Sequence, residues 1–357
     1  MNILQICAYG AEYPGNFINT LETLEKKLLK EGHKTIYAFA DTAKGKEWCK
    51  KIQQRTKVYF LPVAKARISP NVYKLCKNIF KENKIDIVHS HFELYDMPIS
   101  VTAPKNVKIF WHLHDPIEEY YKNASVLKKI LWSIQYSKSK KNIKILSVSE
   151  KHGNFVKTIG VGKKHVEYFP NGIDTNRIEM IDEPVSENRF LIFGWEVYRK
   201  GVDLAYEASK YFVQNSYNLE IECIGKDECK KYLESKEKNN CICYKEPVSY
   251  INVLYKKTKC FLHISRAEGL SYALLEAIYA GLPVICSDIE ENLFAKEFEN
   301  VFFIKNENVE DIINKMKFIM SENFIMDKDK IQNNRKIIEE KYSIDSWCRN
   351  IINLYKM

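Results

Sequence analysis

No stretch of this sequence is apolar for long enough to cross a bilayer. The most hydrophobic run, Leu270 to Cys286, is interrupted by Glu276, Gly281 and Pro283 and falls short of the roughly 20 clean residues a spanning helix needs. Met1 to Tyr9 lacks the basic start of a secretory leader and runs directly into a strand pattern, so the chain is expected to stay in the cytoplasm. None of the ten cysteines pairs with another as C-x-x-C, which removes the usual sequence sign of zinc and redox sites. The thiols are expected to be reduced, and those inside strands to act as small buried hydrophobes. Cys241 and Cys243 form a C-x-C pair with strand period and no neighbouring histidine, and read as core. Low-complexity segments are missing, as is the G-x-G-x-x-G of dinucleotide-binding dehydrogenases.

What is present is a globular composition, 45% hydrophobic and 28% charged, apolar enough to escape disorder. The 357 residues exceed the roughly 250 to 300 at which a single core stops growing, so two domains are expected, with a cleft between them. Charge is unequally shared: residues 1–180 carry a net +13 and residues 181–357 a net −4. A basic half suits nucleic acid, anionic lipid or a phosphorylated ligand. Nucleic acid is the least favoured of these, because no aromatic-basic recognition motif appears.

Apolar runs alternate with helical patterns along both halves. In the first, Asn2 to Ala8 reads as a strand, Tyr9 to Asn16 as a loop and Phe17 to Lys30 as a helix with Phe17, Leu21, Leu24 and Leu28 on one face. Further strands are expected at 35–40, 58–63, 85–89, 107–113, 143–148 and 165–169. Pro170 and Asn171-Gly172 then mark a turn. The second half repeats the alternation, with strands expected at 190–193, 219–224, 241–244, 260–263, 283–286 and 301–304 and helices at 202–212 and 271–280. The fold class is therefore α/β, with two open parallel sheets covered by helices. The domains are placed at 1–174 and 175–340, followed by a helix in 341–357. That helix is opened by a Ser343 cap, carries Ile344, Trp347, Ile351 and Leu354 on its apolar face, and is expected to cross back to the first domain. Ligands of such sheets bind beyond the carboxyl ends of the strands, so residues just after strands carry the functional information.

One segment stands out there: Ile264 to Asp288, ISRAEGLSYALLEAIYAGLPVICSD. Glu268 follows a strand, and Gly269 lets backbone N–H groups near a helix start approach an anion such as a diphosphate. Glu276, on the helix, can accept hydrogen bonds from vicinal ribose hydroxyls. This segment resembles the donor-site signature of the family 4 retaining glycosyltransferases, whose Glu-x7-Glu pair maps onto Glu268 and Glu276. The resemblance implies the GT-B fold, two Rossmann-like domains facing across a cleft. It also implies a nucleotide-diphosphate sugar as donor, no metal cofactor, retention of anomeric configuration, Glu268 on donor-sugar hydroxyls and Glu276 on the ribose. Gly269, Leu270 and Ser271 join the donor-binding set.

A second signal, Leu191 to Ala205, ends a strand at Gly194 and sets Arg199, Lys200 and Gly201 before a helix. Relatives often carry Gly-Arg at the strand end and Lys-Gly before the helix, both cations stabilising the leaving diphosphate. Here Lys200-Gly201 is kept and Trp195 replaces the arginine; Arg199 either supplies the missing charge or is a solvated surface residue. In the first domain, Trp111 to Asp115 (WHLHD) is similar to the family's His-Asp element and makes His114 the sugar-facing candidate, while His89 and His91 read as structural. Gly15 lies in the loop that corresponds to the family's glycine-rich loop. Tyr120 to Lys144 mixes Leu127, Ile130 and Trp132 with Lys128, Lys129, Lys138, Lys140 and Lys141. That is either the pattern of a peripheral contact with an anionic membrane or a helix packed on the sheet with a solvated lysine-rich loop. The expected acceptor is a glycan or a polyprenyl-diphosphate-linked glycan of the cell envelope; a sugar-nucleotide epimerase of the same fold is the rival.

Overall fold

The computed structural model describes residues 1–137, 142–161, 166–181, 185–236, 241–248 and 250–357. They form two units, Met1–Gly172 with Ile344–Met357, and Ile173–Ser343. The first is built on seven strands: β1 (Asn2–Cys7), β2 (Lys34–Ala40), β3 (Val58–Leu61), β4 (Ile87–His91), β5 (Lys108–Leu113), β6 (Ile143–Ser147) and β7 (Val166–Tyr168). All pair in parallel, in the order 3-2-1-4-5-6-7. The second holds β8 (Arg189–Gly194), β9 (Glu220–Gly225), β10 (Ile242–Lys245), β11 (Cys260–His263), β12 (Val284–Ser287) and β13 (Val301–Ile304), also parallel, in the order 10-9-8-11-12-13. His165, expected at the start of the seventh strand, lies outside the described residues.

Parallel strands are covered on both faces and so read as continuous apolar runs. In β1, Ile3 packs with Leu24 and Leu28 of the helix Gly15–Lys30 and with Trp347 and Ile351 of the helix Ile344–Lys356. Leu4 and Ile6 face the opposite layer, with Trp111, Trp132 and Tyr136. The last helix thus belongs to the first unit's core. Ser343, expected as its cap, donates its hydroxyl back to the Glu339 carbonyl at 2.7 Å. In the second unit, Phe190 and Ile192 pack with Val202, Ala205 and Phe212 of the helix Val202–Gln214.

β4 runs two residues further along the chain than the apolar pattern predicts. Its pairing to β1 continues from Ile3–Ile87 to Cys7–His91, and this ladder draws the polar Ser90 and His91 into the strand. Tertiary pairing overrides local propensity here.

In each sheet the strand order reverses once, between β1 and β4 and between β8 and β11. At such a reversal the connections leave to opposite faces and open a crevice beyond the strand ends, the favoured ligand position in open α/β sheets. The loops to inspect therefore follow β1, β4, β8 and β11.

Candidate active site

In the second unit, β8 leads into residues 195–201 and β11 into residues 264–271, and the two loops are tied together. The Arg266 N–H donates to the Arg199 carbonyl at 2.8 Å, and Arg199 Nη1 donates to the Ala267 carbonyl at 3.0 Å. Gly201, at φ +73°, seats against the Ile264 carbonyl, where an added Cβ would lie 2.3 Å from the oxygen; only glycine fits this approach. The Arg266 guanidinium grips both carboxylate oxygens of Asp203 at 2.8 Å. Gly194 is needed for packing, since a Cβ there would meet Cys223, Cys229 and Val202 at 2.8 Å.

This framework holds a buried charge cluster. Lys200 Nζ lies 2.5 Å from Glu268 Oε1 and Arg199 Nη1 lies 3.2 Å from Oε2; Arg199 also reaches Glu196 at 2.7 Å. The Glu268 side chain is 6% exposed. Burial by itself would raise its pKa, but Lys200, then His263 and Arg199, outweigh it and hold the carboxyl down at about 2. His263, the last residue of β11, has its Nε2 4.0 Å from Glu268 Oε1. Burial pushes its own pKa down to about 4 against the pull of Glu268, so it is neutral at pH 7, where the lysine and arginine alone balance the carboxylate.

The helix Tyr272–Ala280 begins directly after this loop. Ser271 is its N-cap, with Oγ accepting from the Leu274 N–H at 3.4 Å. Gly269 and Leu270 are buried in the connection. Glu276 follows in the helix's second turn, buried, with the Tyr255 hydroxyl donating to Oε2 at 3.5 Å. The sequence thus set Glu268, Lys200 and Arg199 apart by up to 69 positions and the fold brings them into one contact cluster, with Glu276 on the adjoining helix.

In the first unit, Gly15 opens the helix Gly15–Lys30 at φ +55°. His114 stands one residue beyond β5, packed on Phe17 and Phe92 with ring centroids at 5.5 and 4.8 Å. Its Nε2 is 3.0 Å from His91 Nδ1 and its Nδ1 3.1 Å from Asn171 Oδ1. Burial drives its pKa down to about 3, so the ring is neutral. His89, His91 and His112 bring ring nitrogens within 4.8 Å of one another, near enough to raise the question of a metal. Every one of those nitrogens already has a hydrogen-bond partner, and the trio contains no anionic ligand.

Residues 175–337 match the family "Glycosyl transferases group 1", and residues 19–177 match "Glycosyltransferase Family 4". The chain belongs to the family 4, group 1 glycosyltransferases. Among curated relatives, CapJ of Staphylococcus aureus is 25% identical over 294 residues, 78% of this chain and 63% of CapJ. The O-antigen chain mannosyltransferase RfbU of Salmonella typhimurium is 28% identical over 187 residues, 50% of this chain and 51% of RfbU. The chain therefore spans between about half and two thirds of the length of these relatives. The solved structure of Anabaena HepE in complex with UDP-glucose superposes with a TM-score of 0.77 at 14% identity, covering 100% of this chain and 99% of HepE. That likeness establishes the GT-B fold.

Within this glycosyltransferase family the chain departs at Trp195, which is exposed. Arg199, read from the sequence as either a substitute cation or a solvated residue, lies on Glu268 beside Lys200. Sequence reasoning missed His263, although a histidine closing a strand five residues before Glu268 was the available signal. For Tyr120 to Lys144 two readings were open, a membrane contact and a helix packed on the sheet, and Trp132 follows the second. Trp132 and Tyr136 point into the core, because the helix Val126–Ser137 turns its aromatic face to the sheet. The apolar side chains that helix exposes are Val126, Leu127 and Ile130, with Lys128 and Lys129 between them. Lys138, Lys140 and Lys141 lie outside the described residues. Among the described residues no helix is long and apolar enough to cross a membrane.

Proposed function

We propose that this glycosyltransferase moves a sugar from a nucleotide-diphosphate sugar to a hydroxyl of a glycan or polyprenyl-diphosphate-linked acceptor in cell-envelope polysaccharide synthesis, with retention of anomeric configuration. The observation that carries the reading is the buried Glu268 carboxylate holding Lys200 and Arg199 at the strand-order reversal of the second unit. Departure of the nucleoside diphosphate is the demanding step. Two cations fixed in place before the reaction, with the amides around Gly269, stabilise the charge that develops on it, the kind of preorganised electrostatics that dominates such steps. Glu268 keeps the cations together and orients the sugar, and Glu276 accepts from the ribose hydroxyls. The bond from the anomeric carbon to the phosphate oxygen breaks as the bond to the acceptor oxygen forms on the same face. The departing phosphate takes the acceptor's proton, so no glutamate serves as nucleophile. The positive charge comes from side chains, and the reaction proceeds without a metal ion.

Names among the relatives support the pathway: RfbU is an O-antigen mannosyltransferase, and HepE was solved with UDP-glucose. The exposed Val126, Leu127 and Ile130 support contact with the cytoplasmic face of an anionic membrane, where a lipid-linked acceptor resides.

The test is a panel of nucleotide-diphosphate sugars assayed for nucleotide release with and without glycan and lipid-linked acceptors. The product's anomeric proton coupling is read by NMR, and a parallel series contains EDTA. Acceptor-dependent release, an axial product from an axial donor and indifference to EDTA are expected. Conversion of a donor without any acceptor would mean an epimerase, and inversion would refute the stereochemical claim.

A further inference from the structure

The buried polar chain behind His114 has a direction, and the direction specifies which nitrogen of His114 carries the proton. It starts at the Phe169 carbonyl, 3.4 Å from His112 Nε2. His112 Nδ1 lies 3.2 Å from His89 Nε2, and His89 Nδ1 lies 2.6 Å from the Tyr355 hydroxyl. Gln5 Nε2 donates to the Tyr355 oxygen at 3.0 Å, and Gln5 Oε1 is 3.0 Å from His91 Nε2. His91 Nδ1 then meets His114 Nε2 at 3.0 Å, and His114 Nδ1 meets Asn171 Oδ1 at 3.1 Å. All these contacts lie within the first unit, and Tyr355 reaches them from the helix Ile344–Lys356.

A carbonyl oxygen only accepts, so His112 donates from Nε2. A neutral imidazole has one N–H, which makes His112 Nδ1 an acceptor and His89 Nε2 its donor. His89 Nδ1 is then an acceptor, and the Tyr355 hydroxyl donates to it. The phenol oxygen accepts from Gln5, the Gln5 oxygen accepts from His91 Nε2–H, and His91 Nδ1 accepts from His114 Nε2–H. His114 is left with a lone pair on Nδ1, so the Asn171 atom that lies there as Oδ1 is reassigned as the amide nitrogen, turned to donate. The ends of an amide are interchangeable in shape, so its orientation follows from the network. With the Asn171 oxygen left at that point, either Gln5 also turns over and the whole chain reverses, setting the His112 Nε2 lone pair against the Phe169 carbonyl, or the chain takes one more proton and holds a buried imidazolium. That species is costly, and burial disfavours it at each of the four histidines.

We infer that Tyr355 is a positioning residue whose hydroxyl sets the polarity of this relay and so fixes His114 as the Nε2–H tautomer, with Nδ1 presented as a hydrogen-bond acceptor. An acceptor at Nδ1 takes a sugar hydroxyl in exchange for Asn171 and discriminates against a carbonyl or phosphate oxygen. This functional half rests on the proposed role of His114 as a sugar contact; the relay itself does not.

The experiment is tautomer assignment by long-range 15N–1H correlation on the full chain with labelled histidine, combined with kinetics. In the wild type all four histidines are expected as Nε2–H. Tyr355→Phe keeps the ring and removes the donor. It is expected to mix the tautomers of His91 and His114 and to lower kcat severalfold with the donor KM changed less than about twofold, the signature of lost orientation with binding retained. Asn171→Asp, whose carboxylate only accepts, is expected to force His114 to the Nδ1–H form. Finding His114 as Nδ1–H in the wild type, or unchanged in Tyr355→Phe, would overturn the relay. Unaltered turnover in His114→Ala would instead sink the sugar-contact reading, with the tautomer result standing by itself.

Discussion

Replacing Lys200 with methionine separates the electrostatic role of the Glu268 cluster from its packing. The Glu268 carboxyl is held at about 2, against 4.5 for an ordinary glutamate. That difference corresponds to about 3 kcal/mol favouring the ionised form in the folded state. Lys200 is the largest of the favourable charges. Removing one partner of a buried pair costs about 3 to 5 kcal/mol when nothing replaces it, but Arg199 remains at 3.2 Å. The expected loss for Lys200→Met is therefore about 2 kcal/mol at pH 7. Because the folded value is the depressed one, the share due to Lys200 and Arg199 is complete above about pH 4.5 and fades as pH falls through about 2, while the His263 share exists only where that ring is protonated, below about pH 4. The deficit of the variant should shrink correspondingly on acidification. Hydrogen exchange of the β11 and β12 amides reports opening of the second unit without assuming that the whole chain unfolds at once. Adding Glu268→Gln to Lys200→Met should recover part of the loss, since it removes the charge left behind. An undiminished deficit at pH 3, or no deficit at pH 7, would refute the reasoning.

Gly201→Ala places a methyl 2.3 Å from the Ile264 carbonyl at φ +73°, and is expected to destabilise the second unit by about 2 kcal/mol or more; an unchanged thermal shift would show that the two loops are not locked there. Trp347→Ala empties a buried site between the last helix and β1 and should cost about 3 to 5 kcal/mol in urea unfolding of the first unit. Changing Val126, Leu127 and Ile130 together to serine should weaken co-sedimentation with anionic phospholipid vesicles by about tenfold. Equal binding by wild type and variant would remove that helix from any membrane contact.

The strand and helix alternation was legible because parallel strands are local apolar runs, and the thirteen observed strands fall on them. Their ends were less so. β4 reaches His91 because β1 and β5 both continue to pair with it, a fact about other parts of the chain. Glu268 and Glu276 stood out because a carboxylate in an apolar segment breaks its own surroundings. The contact of Arg199 with Glu268 spans 69 positions and that of Tyr355 with His89 spans 266, and no periodicity encodes distances of that size. His114 was visible as a strand-end histidine, whereas the chain of partners behind it depends on residues drawn from β1, β4, β5 and the last helix.

The most direct test of the central claim is hydrogen exchange of the full chain with and without the nucleotide-diphosphate sugar that the donor panel selects. Binding is predicted to protect residues 194–201 and 264–276, and Glu276→Ala is predicted to abolish that protection at the same ligand concentration. Protection confined to other segments, with these two loops unchanged, would contradict the account.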